Sequence, residues 1–176
     1  ILDQYGTYLI EEITGGTSEI VAHTTVYRFT TPDSYKAIEY AYSLPAGKKS
    51  QGITAGTYNS INPSAGETPV YNWLSIVNLN NTVFKAKIEQ YDHFGNKAAL
   101  QDISIQIPPG QRHDLALAHQ YGQVTGSYRV IPENHSLSYR SFITRFSQLN
   151  DKFTFAFPLE SSTPDCQNLS VDASTF

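Results

Sequence analysis

Apolar and polar residues alternate along most of this chain. At 38–44, Ile38, Tyr40, Tyr42 and Leu44 fall on one face of an extended segment, with Ala37, Glu39, Ala41 and Ser43 on the other. A period of two is what a half-buried strand requires. A helix capped by Asp33 or Ser34 is the alternative for this segment. Tyr and Ile fit a pleated surface better than a helix, which favours the strand. The same alternation returns at 83–91, 103–107, 137–146 and 153–159, where Phe153, Phe155 and Phe157 share a face. The run VYNWLSIVNL (70–79) is apolar on both faces and predicts a central strand. Segments 8–13 and 20–29 predict two further strands.

Turn residues punctuate these runs: Gly15-Gly16, Pro32-Asp33, Pro45-Ala46-Gly47, Asn62-Pro63, Asn80-Asn81, Phe94-Gly95-Asn96, Pro108-Pro109-Gly110 and Pro132-Glu133-Asn134. Short strands at regular spacing with turns between them predict an all-β protein. The expected form is an antiparallel β-sandwich of Ig-like or jelly-roll type, with about ten to twelve strands and no helix. The stretch 91–115 reads as strand, tight turn, strand, Pro-Gly corner, strand. Asp92 is placed to accept from the amides of its turn, and Gly95 to supply a positive φ. Proline at 108 and 109 ends the second strand, because it cannot donate to a ladder. The segment 59–69 (NSINPSAGETP) reads as a loop, the best internal boundary in what is otherwise one domain over 1–176. SLPAGKK (43–49) and QIPPGQR (106–112) echo each other as corners after strands, without amounting to a duplication.

Composition narrows the class. Charged residues make up 16% of the chain, against about 25% in a typical soluble domain. Tyr is abundant at 12 residues and Met is absent. Low charge with much Tyr and Thr fits a strand-rich exported protein, secreted or at a cell surface. The missing Met reads as a mature or excised piece from which any signal peptide is already gone. The net charge is −4 and the basic residues are scattered along the chain, which leaves no footprint for nucleic acid or an anionic membrane. No apolar run approaches the roughly 18 residues of a membrane helix. The lone Cys166 either bridges to another chain or is a small buried hydrophobe. Sequons at Asn80, Asn134 and Asn168 arise readily in a chain this rich in Ser and Thr.

Candidate chemistry is sparse. His113, Asp114 and His119 form the richest polar cluster, but their spacing matches no metal-ligand pattern. A Ser-His-Asp reading around His113 lacks a nucleophile elbow. Glu11, Glu12, Asp92 and Asp114 offer carboxylates for glycoside hydrolysis, with no spacing that selects a pair. Asp92 and Asn96 suit calcium, yet both are turn formers in their own right. Trp73 and the tyrosines suggest a sugar-stacking platform. Trp73 lies in the most apolar strand, however, which predicts a core residue, and the tyrosines read as half-buried cross-strand partners. No catalytic, cofactor-binding or metal-ligating residue is assigned.

Four stretches, VYNWLSIVNLNNTVFKAKIEQYDHFGN, IPPGQRHDLALAH, YRSFITRFS and FTFAFPLE, taken together resemble β-sandwich modules of uncharacterised exported bacterial surface proteins. The resemblance rests on Trp73, Asn78-Leu79, Tyr91-Asp92-Gly95, Pro109-Gly110, Arg112-Asp114 and Arg145-Phe146, and spans roughly residues 50–160. It implies a sandwich fold and an exported compartment, and it carries no assigned activity. The expected function is therefore a non-catalytic structural, adhesive or assembly module, its partner another copy or a neighbouring surface subunit. Residues 1–13 and 166–176 are expected to pair with neighbours, as in a tandem array or filament. A carbohydrate-binding module, with a glycan as partner, is the alternative. A jelly-roll hydrolase is the third reading.

Overall fold

The computed structural model describes residues 10, 22–29, 38–47, 49–62, 68–98, 102–118, 123–149 and 152–163. They form ten strands: β1 (His23–Phe29), β2 (Ile38–Pro45), β3 (Thr54–Ile61), β4 (Val70–Asn78), β5 (Phe84–Asp92), β6 (Ile103–Ile107), β7 (Arg112–Ala116), β8 (Gln123–Pro132), β9 (Tyr139–Leu149) and β10 (Lys152–Glu160). Every pairing is antiparallel. The fold is an antiparallel β-sandwich. Its first layer runs β10-β9-β4 with β7 on the far side of β4, and its second runs β3-β8-β5-β6. The single pair Ile61↔Val70 links β3 to β4 where the chain passes from one layer to the other. The hairpin β1-β2 is a separate ribbon, and β2 lies against β10.

The alternation read from the sequence sets the inward faces. In β5, Phe84, Ala86, Ile88 and Gln90 are buried while Lys85 is exposed. In β6, Ile105 and Ile107 are buried, with Ser104 and Gln106 exposed between and beside them. Leu74, Ile76 and Ile143 close the core from the first layer, each at 0% exposure. Phe84 from the second layer packs on Tyr139 from the first, ring centroids 4.8 Å apart. A fully buried side chain of this size contributes about 2 kcal/mol by leaving water.

Three tyrosines, Tyr58, Tyr128 and Tyr139, are wholly buried, rather than half-buried as their spacing predicts. Each hydroxyl has a partner, which is what makes burial tolerable. Tyr58 Oη donates to Tyr91 O at 2.9 Å, and Tyr139 Oη to Gly52 O at 2.8 Å and Thr54 Oγ1 at 2.9 Å. Tyr128 Oη shares a hydrogen bond with Ser161 Oγ at 2.6 Å. Burial pushes the phenols of Tyr128 and Tyr139 up to about 12. Room for two of these rings comes from glycine. Tyr58 faces Gly126 and Tyr128 faces Gly56 across the β3-β8 ladder. A Cβ on Gly126 would sit 1.9 Å from Tyr91 O, and one on Gly56 would sit 2.5 Å from Tyr128 Oη. Each ring thus lies over the bare backbone of the glycine opposite, a known way of repairing glycine in a sheet.

Several sequence expectations need correction. Asn59, Ser60 and Ile61 belong to β3, so the predicted loop 59–69 begins later. Strands β3 and β8 were not signalled, because glycine stands where their alternation needs an apolar residue. The late strand starts at Tyr139 rather than 137. The helix alternative fails over 38–44, since Ile38–Pro45 is a strand; its capping residues Asp33 and Ser34 lie outside the described residues. The 8–13 segment, Ile10 apart, and Cys166 lie outside the described residues.

Candidate interaction face

The outward face of the first layer is the most distinctive surface. Residues directly opposite one another in a ladder share a face, so the register names its rows. Arg112, Val77 and Arg140 form one row, then Asp114, Ser75, Phe142 and Glu160. Ala116, Trp73, Thr144 and Pro158 come next, followed by Tyr71, Phe146 and Ala156. One end of this face is polar and internally paired. Arg112 donates from Nε and Nη2 to Asp114 Oδ2 at 3.0 and 2.8 Å. Ser75 Oγ donates to Asp114 Oδ1 at 2.5 Å. Arg140 Nη2 donates to Glu160 Oε1 at 2.7 Å and to Pro45 O at 2.6 Å, which ties the β1-β2 hairpin to this surface. The Arg140 guanidinium also lies over the Phe142 ring at 5.6 Å. The two arginines flank Val77, which is only 5% exposed. Long cationic side chains cover apolar surface in this way.

The other end is aromatic. Trp73 is 39% exposed. This overturns its expected place in the core: the strand is apolar on both faces, and Trp73 falls on the outward one. Tyr71 and Phe146 stack beside it with centroids 5.2 Å apart. The resemblance motif Arg145-Phe146 straddles the sheet, Phe146 facing out and Arg145 in.

The outward face of the second layer is an ion network. Glu89 has a side chain only 8% exposed, 2.7 Å from Lys87 Nζ and 3.3 Å from Lys97 Nζ. The two lysines meet Glu89 Oε1; at Oε2, Arg129 lies opposite on β8 at 4.0 Å and the Tyr91 hydroxyl donates at 2.5 Å. Asp102 pairs with the same two lysines. The Lys87 hydrogen bond, and next the Tyr91 one, hold the Glu89 carboxyl down to about 2. Each cation meets an anion here, so the network is self-contained.

The other sequence candidates are dispersed. His113 and Asp114 are neighbours on a strand and face opposite sides, one opposite Ile76 and the other opposite Ser75; His119 lies outside the described residues. Among the described residues no three His, Cys, Asp or Glu side chains converge on a metal position. Ser75 and Asp114 bond each other while His113 faces away, so these three residues do not form a Ser-His-Asp arrangement. Asp92 closes its turn as expected, accepting from the amides of Phe94 and Asn96, each at 2.9 Å, and from Asn96 Nδ2 at 3.3 Å. Gly95 has φ +83° and Gly110 φ +68°. Asp92 and Asp114 stand on different layers; Glu11 and Glu12 are outside the described residues. Of the sequons, Asn80 uses its amide nitrogen on Asn78 Oδ1 and Ser138 O, both at 2.7 Å, and is poorly placed to accept a glycan. Asn134 is exposed, and Asn168 lies outside the described residues.

No family model matches the chain, and no curated protein matches it. Among solved structures, the fold is similar to the crystal structure of Thermotoga maritima 1070. The TM-score is 0.51 at 11% identity, over 64% of this chain and 94% of that one. At that identity the likeness concerns the fold alone. Nearly all of that chain is matched, while about a third of this one lies outside the match.

Proposed function

We propose that this chain is a non-catalytic, exported interaction module that binds a second copy or a neighbouring subunit through the aromatic end of its first layer. The observation that carries this reading is Trp73, an indole 39% exposed at the centre of a sheet face. Trp and Tyr anchor protein interfaces because they bury much area for little loss of side-chain freedom. The polar end of the same face would form the rim. Low charge and high Tyr content support export. Pairing of the terminal segments 1–13 and 166–176 with neighbours belongs to the same proposal.

Sedimentation of the wild type against Trp73→Ser tests it. The wild type should associate with rising concentration. The variant should remain monomeric with an unchanged melting temperature, because an outward indole contributes little to the core. Equal association of the two proteins would remove the reading. Deleting 166–176 should likewise alter the oligomeric state more than the melting temperature.

A glycan is the second reading. Thr144 and the Ser75-Asp114 pair set hydrogen-bonding groups beside the aromatic strip, the combination that sugar rings require. Glycan-array binding lost in both Tyr71→Ser and Trp73→Ser would favour it over a protein partner.

A further inference from the structure

Arg145 is inward-facing and half-buried on β9, yet it makes no ion pair among the described residues. Its Nε donates to Asn72 Oδ1 at 2.9 Å, and neither terminal nitrogen bonds to another described residue. Burial draws its pKa down from the usual arginine value. A guanidinium withdrawn from water without a counter-charge costs stability, so its retention asks for an explanation. Its orientation is well fixed. Asn72, at 0% exposure, donates from Nδ2 to Asn59 O at 2.8 Å and to Ser60 Oγ at 3.0 Å, and Ser60 donates to Leu117 O at 2.6 Å. This chain of bonds leaves Asn72 Oδ1 as the acceptor for Arg145 and holds the guanidinium fork in one attitude.

A second observation lies two residues along the same face of β9. Ser147 is fully buried, and its hydroxyl has no partner among the described residues. A buried hydroxyl left unbonded is uncommon. Opposite Arg145 and Ser147 on β10 stand Phe157 and Phe155. Phe157 and Phe155 are 38% and 37% exposed, with ring centroids 5.6 Å apart. The Arg145 guanidinium lies 5.8 Å from the Phe157 centroid. A pre-aimed cationic fork, an unbonded hydroxyl and two open rings thus meet at the β10 edge.

We propose that Arg145, Ser147, Phe155 and Phe157 form a binding site for a carboxylate carried on a ring with an apolar face. The planar fork of arginine matches two carboxylate oxygens. Ser147 Oγ supplies a further donor, and the phenylalanine rings take the ligand's flat side. An aromatic acid and a sugar acid share this chemistry. The site faces the opposite side of β9 from the Trp73 strip and stands or falls apart from it.

Titration with benzoate and glucuronate, followed by calorimetry and by amide chemical shifts, tests the site. Benzyl alcohol and glucose are the uncharged controls. At least one acid should bind at millimolar concentration or tighter and exceed its control by about tenfold. Arg145→Gln should weaken that acid by about tenfold, and Arg145→Lys by less, since it keeps the charge without the fork. Arg145→Gln should also melt no lower than the wild type. Phe157→Ser, at an exposed position, should weaken the same acid with the fold intact. Which acid binds identifies the source of the carboxylate. The proposal is overturned if neither acid binds, if each control binds as well as its acid, or if affinity survives both Arg145→Gln and Phe157→Ser.

Discussion

Asn78 holds three segments together through one side chain. It is fully buried, and its Nδ2 donates to Thr82 O at 2.8 Å, Ile107 O at 2.9 Å and Pro108 O at 3.0 Å. Its Oδ1 accepts from the amide of Asn80 at 2.9 Å. Asn78→Ala leaves the buried Ile107 carbonyl and the part-buried Thr82 and Pro108 carbonyls without this donor and should cost roughly 3 kcal/mol in urea denaturation. Glu89 makes a prediction about pH. Its folded pKa, about 2, lies below the ordinary 4.5, so the native state binds fewer protons than the unfolded chain. The stabilisation is fully present above 4.5 and is lost as pH falls toward 2. Glu89→Gln should flatten the fall of melting temperature over that window; an unchanged slope would exclude Glu89 as its source. At this scale the sequence was partly legible. Asp92 announced its turn because its bonds are local. Trp73 did not reveal its exposure, since in a strand apolar on both faces only the partner strands decide which side meets the core. The alternation sets Arg145 on one face with Tyr139, Ser141 and Ile143, but both faces of that run carry apolar residues, so nothing local shows that this one is the inward face.

The strands divide by how their inward positions are filled. Those whose inward places are filled mainly by apolar side chains, Phe84, Ala86 and Ile88 in β5 and Ile105 and Ile107 in β6, match the reading of alternation closely. In β3 and β8 glycine occupies an inward place and borrows its filling from the tyrosine across the ladder, so the periodicity is broken in each strand and restored only in the pair. Gly126→Ala forces a Cβ against the Tyr91 carbonyl and should cost roughly 3 kcal/mol. Gly110→Ala meets open space and bears only its positive φ, a cost of about 1 kcal/mol. Chemical denaturation of the two variants side by side measures the difference. Equal losses would show that the ring-over-glycine packing matters little.

For the whole molecule, the β-sandwich class was legible because many short alternating runs admit few other architectures. The aromatic and carboxylate-site surfaces were not, because the first joins side chains of β4 and β9 and the second side chains of β9 and β10, and those neighbourhoods appear only in the register. The β1-β2 hairpin joins the sandwich in part through the Arg140 guanidinium. Arg140→Ala removes its bonds to Pro45 and Glu160. Hydrogen exchange should then quicken over 38–47 while β4 and β8 keep their protection; uniform quickening would mean that the hairpin and the sandwich open together.

The ladders that build both layers join distant stretches of chain. Thr54 meets Val130, and Asn78 meets Tyr139, so β3 and β4 wait for partners synthesised long after them. Closing such loops is entropically costly before any contact rewards it. A chain released after residue 118 should therefore stay unstructured by circular dichroism. Refolding of the whole should be slow, with the exposed apolar β4 the stretch most in need of a chaperone.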